Sequence, residues 1–271
     1  MRYSVIINCY NTLPLIKSCI QAAIATTDQA AEIILINNHP PYREALDYLG
    51  SIRHPRIRIL DPGKNIGCMP GFQYGAEHAK GEYLIKLDDD VIVPSQKWLE
   101  AMAHALTDFP QLAYVALKPA VIKPSPSQLV VRNDYTLEFR DDTLIFWCMM
   151  IKRSLWKAHF VMENLPLYGV GERYYTRKAT ALGLKKAYLV SHSCTSLGRT
   201  KAADPLYGIW KLLYVKLKDH RLAFPEWLKQ FKLGKTEIKI MQDFGYPADQ
   251  IREIRELLTK IQTEAAQKKD K

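Results

Sequence analysis

Short β-branched apolar runs alternate with helical segments through the first ninety residues, and nearly every run stops abruptly at polar residues. Tyr3 to Cys9 is such a run, followed by Asn11-Thr12-Leu13-Pro14, which reads as a helix cap with a proline behind it. The helix it opens continues to about Ala25. Ile33 to Ile36 is a second buried strand, closed by Asn37-Asn38-His39-Pro40-Pro41, and Arg56 to Leu60 is a third, closed by Asp61-Pro62-Gly63. Met69 to Ala79 suits a helix, and Tyr83 to Leu87 is a fourth strand that ends in Asp88-Asp89-Asp90. Strands and helices at this spacing predict an α/β fold with a parallel, doubly wound sheet. Such sheets bind ligands beyond the carboxyl ends of their strands. Asn11, Asn37 and the three aspartates all follow strand ends, so they are expected along one rim.

Beyond about residue 110 the pattern loosens. Leu112–Leu117 and Leu144–Ile151 read as strands on either side of the irregular Lys123-Pro124-Ser125-Pro126-Ser127. Gly171 to Leu182 reads as a helix and Ala187 to Val190 as a last strand. From about Asp204 the signals are helical, with basic, aromatic-rich stretches at Leu206–Leu217 and Phe224–Phe231. In the last segment Ile251, Ile254, Leu257, Leu258 and Ile261 recur at helical spacing, an amphipathic stripe.

With 271 residues the chain buries a core without a disulfide or metal staple. The five cysteines, Cys9, Cys19, Cys68, Cys148 and Cys194, form no C-x-x-C pair or regular spacing, which favours a reducing compartment. The apolar run behind Met1 is too short for a signal peptide, and no stretch approaches the ~20 apolar residues of a membrane span. The expected location is cytoplasmic, with peripheral membrane attachment open. Charge is uneven: residues 1–100 carry 10 basic and 11 acidic groups, whereas residues 101–271 carry 28 and 17. That excess fits a polyanionic partner for the later part or an ordinary basic enzyme.

Three adjacent carboxylates repel one another unless a cation compensates them. Hard oxygen ligands at a strand end suit Mg²⁺ or Mn²⁺ bound jointly with substrate phosphates, although a bare D-x-D is also a common solvated turn.

Several segments together resemble the GT-A-fold, nucleotide-sugar-dependent inverting glycosyltransferases of family 2. Ser4-Val5-Ile6-Ile7-Asn8-Cys9-Tyr10-Asn11 is similar to that family's opening strand. Asn65-Ile66-Gly67-Cys68-Met69-Pro70-Gly71-Phe72-Gln73-Tyr74-Gly75 resembles its glycine-rich segment. Ala79 through Asp90, with Pro94 and Trp98-Leu99, resembles the approach to its D-x-D metal site. The resemblance spans residues 3–200. It implies a GT-A domain over 1–200, a Rossmann-like mixed sheet flanked by helices, with a nucleotide-sugar half at 1–110 and an acceptor half at 111–200; a basic helical extension follows at 201–271.

The resemblance also implies roles. Asp88 and Asp90 would form the D-x-D, Asp90 nearest the Mn²⁺ or Mg²⁺ and Asp88 nearer the donor ribose or sugar, with Asp89 least determined. Asn11, Asn37, Asn38, Asn65 and Gly67 would line the site of a UDP-, dTDP- or GDP-sugar. His192 matches a histidine that completes the metal site in some relatives, and Arg199 would neutralise the departing diphosphate. Counting back from Gly183 places Glu172 on the family's general-base position. Two departures stand out: Gly171 occupies the place of an acidic neighbour, and Asn37-Asn38 replaces an acidic pair. Trp147 is either an aromatic wall of the sugar or acceptor pocket, or core.

Residues 201–240 hold nine basic and four acidic groups among Trp210, Tyr214, Phe224, Trp227 and Phe231. That surface fits anionic lipid presenting a lipid-linked or cell-surface glycan acceptor, or a DNA groove in an enzyme that glycosylates hydroxylated bases. A non-catalytic relative that binds sugar or polyanion is the third reading, and a helical cap packed on the core the plainest.

Overall fold

A computed structural model describes residues 1–40, 42–122, 129–163, 171–197, 232–243 and 248–267. The chain divides into two compact units, Met1–Gly198 and Arg199–Lys271. The first opens with β1 (Tyr3–Cys9), α1 (Leu13–Thr26), β2 (Ala31–Asn37), α2 (Arg43–Ser51), β3 (Ile57–Leu60), α3 (Cys68–His78) and β4 (Tyr83–Asp88). The four strands are parallel in the order β3-β2-β1-β4. Cys9 stands opposite Asn37, and Asn8 opposite Asp88, so three strands end at one level. The polar rim expected from the sequence is present.

The unit continues with β5 (Val91–Ile92), α4 (Trp98–Asp108), β6 (Leu112–Pro119), β7 (Leu129–Val131), β8 (Thr136–Phe139) and β9 (Cys148–Lys152). A short helix at Arg153–Leu155 and a π-helical turn at Trp156–Phe160 lead on to α5 (Gly171–Ala181) and β10 (Lys185–Ser196). Here the sheet becomes mixed, as the resemblance implies. β9 lies antiparallel between β4 and β6, β10 runs parallel to β6, and β8 and β7 add antiparallel strands at the edge. β8 and β9 run the same way, and the chain joins them without a helix.

Alternation along the strands divides the core between the two faces of the sheet. Val5, Ile7, Ile33, Leu35, Ile85 and Leu87 pack on one side with Ile16 of α1 and Trp98 of α4. Ile6, Ile34, Ile36, Leu84 and Met149 pack on the other with Phe72 of α3 and Tyr175 of α5. The second face carries the site described below.

In the second unit, helices span Lys235–Asp243 and Ala248–Gln267. Of the expected stripe, Ile251, Ile254 and Leu258 are buried and Leu257 is half-buried. The stretches Leu206–Leu217 and Phe224–Phe231 lie outside the described residues, as does Arg199.

Candidate active site

The three aspartates at the end of β4 diverge. Asp89 is 5% exposed, and its oxygens accept hydrogen bonds from the Tyr10 amide at 2.6 Å, the Asn11 amide at 2.8 Å and Asn11 Nδ2 at 2.6 Å. It ties the end of β4 to the end of β1. Burial, with the neighbouring Asp90 charge, pushes its pKa up to about 7 against the pull of those hydrogen bonds. Asn11 is therefore occupied by Asp89 rather than by capping: Thr12 holds the N-cap of α1 without a side-chain hydrogen bond. Asp90 Oδ2 accepts from Ser196 Oγ at 2.8 Å, and its carbonyl accepts from the Leu197 amide at 2.7 Å. Those bonds extend the β5–β10 pairing and fix Asp90 beside the end of β10.

Asp88 takes a third direction. Its Oδ1 is paired with Lys86 Nζ, two residues back on the same strand and therefore on the same face. The Lys86 ammonium also donates to the Phe146 carbonyl at 3.1 Å and lies 5.4 Å from the centre of the Phe146 ring. Burial works against its charge, but Asp88 more than reverses this, with Cys68 and Glu172 adding, so its pKa stands above the ordinary lysine value.

Around the ends of β2 and β3 the polar residues form two groups. Gly67 adopts φ +94°, a left-handed conformation that favours glycine, and starts α3. Its carbonyl accepts from Asn8 Nδ2 at 3.0 Å and Asn38 Nδ2 at 3.5 Å, and its amide donates to Asn65 Oδ1 at 2.9 Å. Asn38 Oδ1 accepts from the Ile66 amide at 2.8 Å. Asn38, Asn65 and Gly67 are thus brought together, whereas Asn37 turns to Asp61, which accepts from its Nδ2 at 2.9 Å. His39 Nε2 reaches the same carboxylate at 2.8 Å. Burial would raise the Asp61 pKa, but hydrogen bonds from Gly63, His39 and Asn37 outweigh it and hold it below the ordinary value.

Glu172 is exposed in the first turn of α5. That helix is anchored by Tyr175, whose ring stands 5.7 Å from Phe146 and 5.0 Å from Phe160, and by a 3.3 Å bond between Tyr114 and Thr176. Tyr175 of that helix packs on the sheet face of Leu84, the face that by alternation also carries Lys86 and Asp88. His192 lies on β10 with its Nδ1 3.1 Å from Ser191 Oγ. Burial lowers its pKa, against a hydrogen bond with the Gln96 backbone and the charge of Asp134. Trp147 is half-buried against the first core cluster, and its carbonyl accepts from the Asp88 amide at 2.9 Å.

Residues 4–157 match the family model described as glycosyl transferase family 2. The chain belongs to that family. It is 31% identical over 129 residues, 44% of this chain and 28% of the relative, to the inactive polypeptide N-acetylgalactosaminyltransferase-like protein 5 of Macaca fascicularis. This family 2 chain spans under a third of the length of the curated relatives it matches. Its GT-A fold is similar to that of GalNAc-T7 with UDP, GalNAc and Mn²⁺, with a TM-score of 0.59 and 14% identity over 96% of this chain and 54% of that one. It is also similar to the mannosyltransferase PcManGT from Pyrobaculum calidifontis in complex with GDP-Man and Mn²⁺, with a TM-score of 0.56 and 16% identity over 84% and 67%.

The donor set of this family 2 protein fits a hard divalent cation. Among the described residues no three His, Cys, Asp or Glu side chains converge as a closed cage. Asp88 and Asp90, each already held by a protein partner, offer hard oxygens to Mg²⁺ or Mn²⁺, which take one or two carboxylates and complete their shell with water and phosphate oxygens.

Sequence reasoning missed Lys86 and Asp61. The signal for Lys86 was legible: a lone cation in the otherwise apolar Leu84-Ile85-Lys86-Leu87, two residues before Asp88. Asp61 was passed over as turn punctuation before Pro62-Gly63.

Proposed function

We propose that this family 2 protein is an inverting, metal-dependent glycosyltransferase that moves a sugar from a nucleoside-diphosphate sugar to an acceptor hydroxyl. One observation carries the reading: α5, whose first turn holds Glu172, packs through Tyr175 on the sheet face that carries Lys86 and Asp88. A proton acceptor and a donor-holding carboxylate on one face are what an in-line displacement needs, with attack opposite the leaving diphosphate.

In this reading Asn38, Asn65 and Gly67 bind the nucleotide together with Asn37 and Asn11. Asp88 accepts from a ribose or sugar hydroxyl. Asp90 and Asp88, with His192, hold Mn²⁺ or Mg²⁺, which when bound offsets charge on the diphosphate. Glu172 takes the proton of the acceptor hydroxyl, and Arg199 balances the departing diphosphate. The acceptor is proposed from charge, since residues 101–271 carry 28 basic and 17 acidic groups. A surface or lipid-linked glycan at an anionic membrane fits that excess.

The experiment is a panel of UDP-, dTDP- and GDP-sugars scored for release of the nucleoside diphosphate, with Mn²⁺ and with a chelator. Metal-dependent release with one donor supports the reading. A second reading, a non-catalytic sugar binder, draws on the relative named inactive and on the glycine at position 171. Donor binding without release across the panel favours it. Salt-sensitive retention on DNA but not on anionic vesicles would move the acceptor to nucleic acid.

A further inference from the structure

Lys86 is 6% exposed and lies between the buried Ile85 and Leu87. An ammonium taken out of water needs a matched partner, and a methionine would fill the same volume without that demand. Its three described contacts are the Asp88 carboxylate, the Phe146 carbonyl and the Phe146 ring. The neighbouring acids are compensated differently: Asp89 by three hydrogen bonds, and Asp90 by hydrogen bonds that include Ser196. Asp88 is matched by the Lys86 ammonium.

We infer that Lys86 is a positioning residue of the transfer site, which fixes the Asp88 carboxylate from the buried face of β4 and offsets one negative charge of the aspartate run before any divalent cation arrives. The inference rests on the transferase reading above, because that reading gives Asp88 its role. Two consequences follow. The carboxylate is oriented in advance, with one oxygen committed inward to Lys86. The bare site is also kept a weak divalent site, because a fixed positive charge opposes a second one nearby. Strong metal binding then requires the oxygens of the nucleotide diphosphate, so that metal and nucleotide bind together.

The test is Mn²⁺ binding by the full chain, followed by loss of the free-ion paramagnetic resonance signal, alone and with UDP or GDP. Wild type is compared with Lys86→Met, Lys86→Arg, Asp88→Asn and the double variant. Lys86→Met is expected to tighten binding of Mn²⁺ alone by about tenfold and to remove most of the gain given by nucleotide. Lys86→Arg keeps the charge and should stay within about threefold of wild type. In the Asp88→Asn background Lys86→Met should still tighten Mn²⁺ binding, because the repulsion between the ammonium and Mn²⁺ does not pass through Asp88. Unchanged Mn²⁺ affinity in Lys86→Met overturns the inference. Should Lys86→Met fail to fold, Lys86→Gln, which keeps a hydrogen-bond donor and loses the charge, takes its place: tighter Mn²⁺ binding is again expected, and unchanged affinity overturns the inference. A wild-type chain that binds no Mn²⁺ under any of these conditions overturns the metal-dependent reading and this inference with it. Mn²⁺ binding that ignores Lys86 overturns this inference only.

Discussion

Gly171 lies so close to Met69 that a Cβ on the glycine would meet the methionine's Cγ and Sδ at 2.6 Å. α5 starts pressed against α3, and the acidic residue that the resemblance expects beside Glu172 has no room. Gly171→Ala must displace Met69; because a thioether chain adapts easily, the cost is expected near the low end of overpacking, about 1 kcal/mol. Gly171→Asp adds a carboxylate to a buried position and should cost more. Thermal unfolding checks this: the melting temperature should fall by about 2–4 °C for the alanine and further for the aspartate. Met69→Ala should recover part of the loss, and an aspartate variant as stable as wild type would show that the contact is not tight.

The parallel half of the sheet was legible because β1, β2 and β4 are continuous apolar runs, each closed by polar residues. β7 and β8 were not, since three- and four-residue edge strands leave too short a pattern to stand out. The same limit hid the direction of β9: Cys148–Ile151 reads equally well as a parallel or an antiparallel buried strand, and only its partners β4 and β6 decide. At the site, the strand-end residues were found because strand ends are where ligands bind. Asp61 was not, because its partners Asn37 and His39 come from the end of β2 and just beyond it, whereas Lys86 was legible from its place two residues before Asp88 on the same strand. Asn11 shows the opposite error, a sound local capping signal overridden by the tertiary contact with Asp89.

The three aspartates should separate by phenotype. Asp89→Ala strands the Tyr10 and Asn11 amides, and each unsatisfied buried donor costs about 1–3 kcal/mol, so this variant should unfold at clearly lower denaturant concentration. Asp88→Asn and Asp90→Asn preserve shape and most hydrogen bonding. Asp90→Asn should keep the midpoint closer to wild type, Asp88→Asn should lower it by leaving the buried Lys86 ammonium without its carboxylate, and both should lose Mn²⁺-dependent donor turnover. Denaturant curves run beside the nucleotide-sugar assay test the division, and it fails if Asp89→Ala melts with Asp90→Asn.

Cysteine labelling probes the same rim. Cys9, Cys19, Cys148 and Cys194 are buried, whereas Cys68, at the start of α3, is partly exposed. Burial raises the thiol pKa of Cys9, Cys19 and Cys148 well above the ordinary range and that of Cys194 to about 12. Since the thiolate is the reacting form, a disulfide reagent on the native chain should modify Cys68 fast and the other four only after unfolding. Cys68→Ser should abolish the fast phase. Donor nucleotide with Mn²⁺ should slow it, because Cys68 follows directly on Gly67.

Glu172 is the strictest test of the chemistry. Glu172→Gln keeps the size of the side chain and its exposed place in the first turn of α5, so folding and donor affinity should change little. It cannot take a proton from the acceptor hydroxyl, and general-base assistance typically contributes ~10²–10⁴-fold, so transfer should fall by about that factor at saturating donor. The loss should appear in kcat rather than in the donor KM, because the base acts on the acceptor in the transition state. Glu172→Asp retains the carboxylate one methylene short and should recover part of the rate. A Glu172→Gln variant that keeps more than about a tenth of wild-type kcat would remove Glu172 from the base role, while leaving the metal-holding assignment of Asp88 and Asp90 to its own test.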